Sequence, residues 1–382
     1  MKNLAIYIHW PFCKSKCPYC DFNSHVRERV EQDAWRNALI SELEFMHSHS
    51  QNFVVSSIFF GGGTPSLMPP ATAEALINRI YQLWKVSENI EITLEANPTS
   101  VEAENFNAFK AAGINRVSLG VQSLRDTELK FLGRGHSAVE AIKAIELAQK
   151  TFARYSFDLI YARPDQTIAD WDAELSEALA LAGGHLSLYQ LTIEENTAFY
   201  HAYKNGGFAM PSEELAEELY ILTEEKMLAN SFTPYEISNY AKAGKESRHN
   251  LSYWQGDSYI GIGAGAHGRI NTGGKRIATQ TLKSPERWLE NVQKSGNGVE
   301  IWQEIPPEIE VEERLMMGLR LRDGINYEVF KTQTGLDLRE HINTQKRDFY
   351  IKNSLLEDDK NNLRPTLKGK LVLNKLTAEL IL

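Results

Sequence analysis

The sequence predicts an α/β fold built on a parallel sheet, with a small separate unit at the C-terminal end. Three observations carry this reading. Six apolar, β-branched runs alternate with helical patterns over the first two-thirds of the chain, as βαβ units do. Residues suited to ligand binding stand at or near the ends of five successive strands, the face on which α/β folds assemble their sites. At 382 residues the chain is too long for one small core, and its pattern changes near Pro306-Pro307.

Residues 4–9 form a buried strand that feeds a cysteine-containing loop. A helical pattern covers 31–47. Strand 54–60 ends in Gly61-Gly62-Gly63-Thr64-Pro65, and a helix is expected over 71–84. Strand 90–95 closes on Glu95, just before Asn97-Pro98. The helix 101–112 stops at Gly113, a natural C-cap. Strand 117–121 ends at Gln122, and helix 138–151 leads to strand 155–161, which carries Asp158. Helix 168–181 stops at Gly183-Gly184, strand 186–193 is the sixth, and 212–229 is a long acidic helix.

This core is assigned to residues 1–235. Residues 236–305 read as an irregular, glycine-rich segment with Gly261, Gly263, Gly265 and Gly268. Its G-x-G-x-G run lacks the βαβ setting of a dinucleotide fingerprint, so close backbone packing near the strand ends is expected instead. Residues 306–382 form the third part. Helices are expected over 308–321, 327–333 and 338–352, then a small β-wing around Leu363 and the Thr366-Leu367-Lys368-Gly369 turn, then a last helix.

Net charge is −9, which argues against a nucleic-acid partner, because phosphate binding wants a basic field. The locally basic Lys360, Arg364, Lys368 and Lys370 read as a solvated surface. Hydrophobic content is ordinary at 42%. No apolar run is long enough to span a bilayer, and the N-terminus lacks the apolar block of a signal peptide. A reduced, cytoplasmic compartment is expected.

Cys13, Cys17 and Cys20 are the only cysteines, spaced C-x3-C-x2-C. Three thiolates on one loop can converge on one metal centre. A four-iron cluster with three protein ligands leaves one iron open for a substrate or cofactor. A zinc ion is the alternative, with His9 or His25 as fourth ligand. Disulfides are disfavoured by the odd count. The glycine run after the second strand lets backbone approach a ligand closely and leaves N–H and C=O groups to bind it. It lacks the Lys-Ser/Thr pair of a Walker loop. Glu95 can accept both hydroxyls of a ribose. In Arg248-His249-Asn250-Leu251-Ser252-Tyr253-Trp254 a histidine stands beside aromatics. That pattern suits heme contact, though a histidine beside aromatics is more often a packed, hydrogen-bonded core residue.

Tyr7, the run His9-Trp10-Pro11-Phe12, the cysteine spacing and Asp21-Phe22 resemble the radical S-adenosylmethionine (SAM) superfamily. The likeness lies in the branch holding oxygen-independent coproporphyrinogen III oxidase and the heme chaperone HemW. It implies a partial (β/α)6 barrel with a winged-helix-like C-terminal domain. It also implies a 4Fe–4S cluster on Cys13, Cys17 and Cys20, whose open iron chelates the methionine end of SAM. By the same resemblance Gly62, Gly63 and Thr64 meet the methionine amino group, Glu95 the ribose, and Tyr7 lies beside SAM. Tyr19, Gln122, Arg134, Asp158 and Thr192 match a second SAM site, with Arg134 and a carboxylate pairing with a zwitterion. Where the family reads Tyr-Gly-Leu-Pro, this chain has Tyr161-Ala162-Arg163-Pro164, so Arg163 is expected to add bulk and charge at the mouth.

The string H-N-x-x-Y-W resembles the chaperone branch and implies heme contact by His249, Asn250, Tyr253 and Trp254. Phe22 stands where the oxidase has an extra cysteine, and the chain starts almost at strand one, so the oxidase's N-terminal extension is expected to be missing. The resemblance implies a heme chaperone that binds heme beside a SAM-ligated cluster and delivers it to acceptor proteins, membrane-associated ones among them. The alternative is radical decarboxylation of coproporphyrinogen III, or another radical SAM reaction. No catalytic residue is assigned.

Overall fold

In the computed structural model, which describes residues 2–381, one twelve-stranded sheet organises the chain. Strands β1 (Lys2–Trp10), β2 (Phe53–Gly62), β3 (Lys85–Ala96), β4 (Arg116–Gln122), β5 (Arg154–Tyr161) and β6 (His185–Gln190) pair parallel in chain order. Each is rich in apolar, β-branched or aromatic residues and buried along most of its length, as strands covered on both faces are. The crossovers are helical: α1 (Gln32–Ser48), α2 (Pro70–Leu83), α3 (Phe106–Ala111), α4 (Ala138–Thr151) and α5 (Ile168–Leu181). Local chemistry sets where two of them start. Ser137 and Glu140 form a capping box ahead of α4, and Thr167 and Asp170 do the same for α5. After β6 comes α6 (Glu213–Ala229).

Several expected elements change. The helix over 101–112 breaks into Ser100–Ala103, capped by Thr99, and α3. The sixth strand ends at Gln190, because 191–193 turn away into a loop. The segment 236–305 is ordered into strands and helices. Strand β7 (Asn239–Ala241) pairs antiparallel with β6, and α7 (Arg248–Trp254) follows. Strand β8 (Ser258–Ile262) joins β1 in parallel on the other side. Strands β9 (His267–Thr272), β10 (Lys275–Thr281) and β11 (Val299–Glu304) extend that edge antiparallel, with α8 (Pro285–Ser295) crossing before β11. The glycines serve close approach. A Cβ on Gly261 would stand 2.2 Å from the His267 carbonyl oxygen, and one on Gly263, at φ +101°, 2.3 Å from that of His9.

A second hydrophobic core lies C-terminal to the first and is built from residues between Val311 and Leu380. Helix α9 (Pro307–Gly318) opens it, and a small sheet of Ile325–Asn326, Leu356–Asp358 and Asn362–Pro365 completes the wing. The helix expected over 338–352 is a short turn at Leu338–Glu340 and then Thr344–Lys352, which Asn343 caps. Thr366 caps a short helix, Leu367–Leu371, where a turn was expected. The two cores meet through the Arg269–Glu313 pair at 2.7 Å and through Arg314, whose guanidinium lies over Gly256.

Candidate functional site

The C-terminal ends of the parallel strands open into one cavity of about 1390 Å³. The cysteine loop forms one wall. Asn23 fixes it in place: its side-chain amide donates to the carbonyls of Ala264 and Lys283, both at 3.0 Å. His9 Nε2 bonds the Asn23 carbonyl at 2.9 Å, and His9 Nδ1 bonds Tyr7 Oη at 3.0 Å. His25 Nε2 meets Asn23 Oδ1 at 3.1 Å. Both nitrogens of His9 and one of His25, the two histidines weighed as a fourth zinc ligand, are therefore spent on holding the loop.

Each thiol has its own polar neighbour. Thr64 Oγ1 donates to Cys13 Sγ at 3.5 Å, Arg134 Nη1 to Cys17 Sγ at 3.2 Å, and Ser24 Oγ lies 3.9 Å from Cys20 Sγ. Burial pushes the Cys13 and Cys20 thiols up. Among the described residues no three His, Cys, Asp or Glu side chains close on a single ion position. A single zinc ion needs all its ligands at bonding distance. A cluster spreads its thiolates over different irons, so the three sulfurs lining one cavity with hydrogen-bond donors beside them suit it better.

Asn97, which the sequence reading passed over, connects two of these thiols. Its Nδ2 donates to Thr64 Oγ1 at 3.3 Å, and its Oδ1 accepts from Arg134 Nη2 at 2.6 Å. Glu102, 2% exposed, accepts from the Asn97 backbone N–H at 2.9 Å and from Ser66. The signal was the Asn-Pro step after Glu95, where a strand ends at the site.

The glycine run packs on the loop. A Cβ on Gly63 would stand 2.8 Å from the Phe12 carbonyl oxygen and 3.0 Å from Cys13 Sγ, so only glycine fits this approach. Its N–H groups are not free for a ligand, contrary to expectation. Gly62 donates to Glu95 Oε2 at 3.3 Å, Gly63 to the Trp10 carbonyl at 2.8 Å, and Thr64 to that of Phe12 at 2.9 Å.

Glu95 and Asp158 face each other in the barrel interior. Burial and then the Asp158 charge push Glu95 up to about 8. Burial pushes Asp158 up to about 6, against a hydrogen bond from Ser187. Arg116, 2% exposed, offsets both and donates to Ser156 Oγ at 2.8 Å. Arg134 also holds Gly120 O at 2.8 Å, so its partners are the thiol loop, Asn97 and the backbone rather than an ion-paired carboxylate.

Gly62, Gly63, Thr64, Glu95, Gln122, Arg134, Asp158, Thr192 and Tyr19 line the cavity together with the three cysteines. Tyr7 is not in that lining; it packs on Phe59 and His249. Arg163 does not reach the mouth. It is 2% exposed and turned back against Glu174 at 2.6 Å and Glu128 at 3.0 Å, because a buried guanidinium takes the nearest carboxylates.

His249 is 1% exposed on α7, which packs against β2 and β8. Its Nδ1 meets Ser57 Oγ at 2.9 Å and its Nε2 meets Tyr253 Oη at 2.8 Å. Both ring nitrogens are thus hydrogen-bonded within the protein, which is the packed arrangement the sequence reading weighed. Asn250, Tyr253 and Trp254 instead line a smaller cavity of about 330 Å³ with Tyr189, Glu236, Ser238, Asn239 and Arg320. Tyr189, Ser238 and Arg320 line the large cavity as well.

Residues 7–178 match the radical SAM superfamily profile, and residues 305–372 match the HemN C-terminal domain. The chain is 35% identical to the heme chaperone HemW of Escherichia coli, over 98% of this chain and 97% of that one. It is 38% identical to the mitochondrial radical S-adenosyl methionine domain-containing protein 1 of Bos taurus, over 99% of this chain and 87% of the relative. The structure of coproporphyrinogen III oxidase (HemN) from Escherichia coli superposes with a TM-score of 0.81 over 99% of this chain and 89% of that one, at 20% identity, a likeness of fold. The chain belongs to the radical SAM superfamily, in the family of the heme chaperone HemW and radical S-adenosyl methionine domain-containing protein 1.

Proposed function

We propose that the protein is a heme chaperone: it binds heme beside a SAM-ligated 4Fe–4S cluster and passes it to acceptor proteins. The family implies the cluster and SAM. When bound, that pair can supply a single electron and a carbon radical, and the chain's part is to hold and shield them. Cys13, Cys17 and Cys20 would carry the cluster. Thr64 and Arg134 hydrogen-bond two of the sulfurs, and Glu95 stands where a ribose diol could meet it. Gln122, Asp158, Tyr19 and Thr192 are proposed for a second SAM in the same cavity.

The observation that carries the heme reading is the placement of the H-N-x-x-Y-W segment. It lines a second cavity that shares Tyr189, Ser238 and Arg320 with the lining of the thiol cavity, which brings the segment beside the cluster site. Asn250, Tyr253 and Trp254 are offered to that ligand, and His249 holds the segment in place. No helix of the described residues is long and apolar enough to cross a membrane, so delivery to a membrane-associated acceptor would be made from outside the bilayer. A cytoplasmic or other reduced compartment suits three free thiols.

The test is anaerobic reconstitution followed by titration with hemin, then incubation with coproporphyrinogen III and SAM. A brown, iron-containing protein with a saturable Soret shift and intact coproporphyrinogen III is expected. No Soret shift would sink the chaperone reading. The oxidase reading is favoured by Gln122, Arg134 and Asp158 lining one cavity, and formation of protoporphyrinogen IX would establish it instead.

A further inference from the structure

The small cavity holds an unusual concentration of unmet hydrogen bonds. Trp254 Nε1, Arg320 Nε and Asn239 Oδ1, on three of its lining residues, are all buried and have no partner among the described residues. Buried polar groups are nearly always satisfied, so three orphans on the residues around one space point to a ligand there that rearrangement of these side chains would satisfy. Two of them are donors, and one belongs to a cation. The Arg320 guanidinium also lies 5.4 Å from the Trp254 ring centre, which fixes the two donors relative to one another. Two neighbouring unmet N–H groups, one of them on a cation, suit a carboxylate, which has two acceptor oxygens and no donor. Asn239 Oδ1 is left for a water or for the proton of the acid form.

The cavity lining already includes one carboxyl, which has hydrogen-bond partners of its own. Glu236 is 2% exposed, and its Oε1 accepts from Ser238 N at 3.0 Å and Asn239 Nδ2 at 2.5 Å. Burial pushes its pKa up, against those two hydrogen bonds and the Arg320 charge.

We infer that Arg320 and Trp254 form a carboxylate-binding subsite, and that its ligand is a carboxylate arm of a tetrapyrrole whose ring lies in the large cavity. The small cavity, about 330 Å³ against about 1390 Å³, has room for an arm and not for a macrocycle. Tyr189, Ser238 and Arg320 border both spaces, so the subsite adjoins the large cavity. The choice of a tetrapyrrole rests on the heme reading above; the carboxylate chemistry stands on the cavity alone. The subsite also gives the Trp of H-N-x-x-Y-W a task distinct from metal ligation.

Two measurements test it, one of them independent of heme. The first follows the Trp254 indole N–H in a ¹⁵N-tryptophan spectrum, assigned with Trp254→Phe, while sodium propionate is added. A saturable shift in the wild type, absent in Arg320→Gln, is expected. An unmoved resonance would mean that the cavity holds only water, and it overturns the subsite whatever heme does. The second compares hemin with hemin dimethyl ester by Soret titration. Hemin is expected to bind wild type at least tenfold tighter than the ester, with Arg320→Gln binding both alike. Equal binding of the two by wild type overturns the tetrapyrrole assignment. If neither porphyrin binds while propionate still shifts Trp254, the heme reading fails and the carboxylate subsite stands. Arg320→Lys keeps the charge but loses the Nε–H, and is expected to retain an intermediate preference for hemin. Matching melting curves for all variants exclude misfolding as the cause.

Discussion

Asn97 spends one side-chain amide on the donors of two different thiols. Hydrogen bonds to the sulfurs are among the terms that set an iron–sulfur potential, and groups behind the ligands orient them. Asn97→Ala should therefore leave the iron content near wild type and lower the cluster's midpoint potential, on the order of tens of millivolts. A redox titration followed by electron paramagnetic resonance reads this, and an unchanged potential would count against the bridge. His249 makes a prediction of another kind. Burial lowers it to about 3 from the usual 6.5, so the folded protein favours its neutral form. Its contribution to stability is fully present above about pH 6.5 and is lost as the pH falls toward 3. By pH 5 the loss from this group is about 2 kcal/mol. Urea midpoints at pH 7.5, 6 and 5 should fall more steeply for wild type than for His249→Gln. Parallel curves would show that the ring is not buried neutral.

Among the elements, α1 has a role its own pattern hides. Glu42 lies on its buried face and accepts from Gly263 N and Gly298 N, both at 2.7 Å, and from Trp288 Nε1 at 3.0 Å. One carboxylate thus ties the helix to the turn after β8, to α8 and to the entry of β11. Glu42→Leu strands three buried donors at once and should cost about 3 kcal/mol or more. A thermal melt checks this, and a variant as stable as wild type would mean the donors find water. A sequence reader sees only a glutamate in a helix, because its partners lie more than two hundred residues away. The same reason separates the legible from the illegible elsewhere. Strand runs and the cysteine spacing are written in neighbouring residues, and the first six strands fell close to where they were expected. The 236–305 strands were missed because their glycines resemble a loop until the opposing backbone at His9 and His267 is in place. Arg163 was misplaced because nothing local says that Glu128 and Glu174 lie behind it.

At the scale of the whole molecule, the two cores share the work of enclosing the site. Lys370, Leu371, Val372 and Arg320 come from the C-terminal unit yet line the large cavity, opposite walls supplied by the barrel. The site is thus completed by the docking of one unit on the other, which no motif in either records. The clamp on the cysteine loop has a consequence for timing. Asn23 is held by the carbonyls of Ala264 and Lys283, the latter 260 residues further along the chain. A ribosome that has just delivered the three cysteines must translate most of the remaining message before the partners of that loop exist. The nascent chain therefore carries three unshielded thiols through much of its own synthesis, and iron can be installed in a finished pocket only near the end of it.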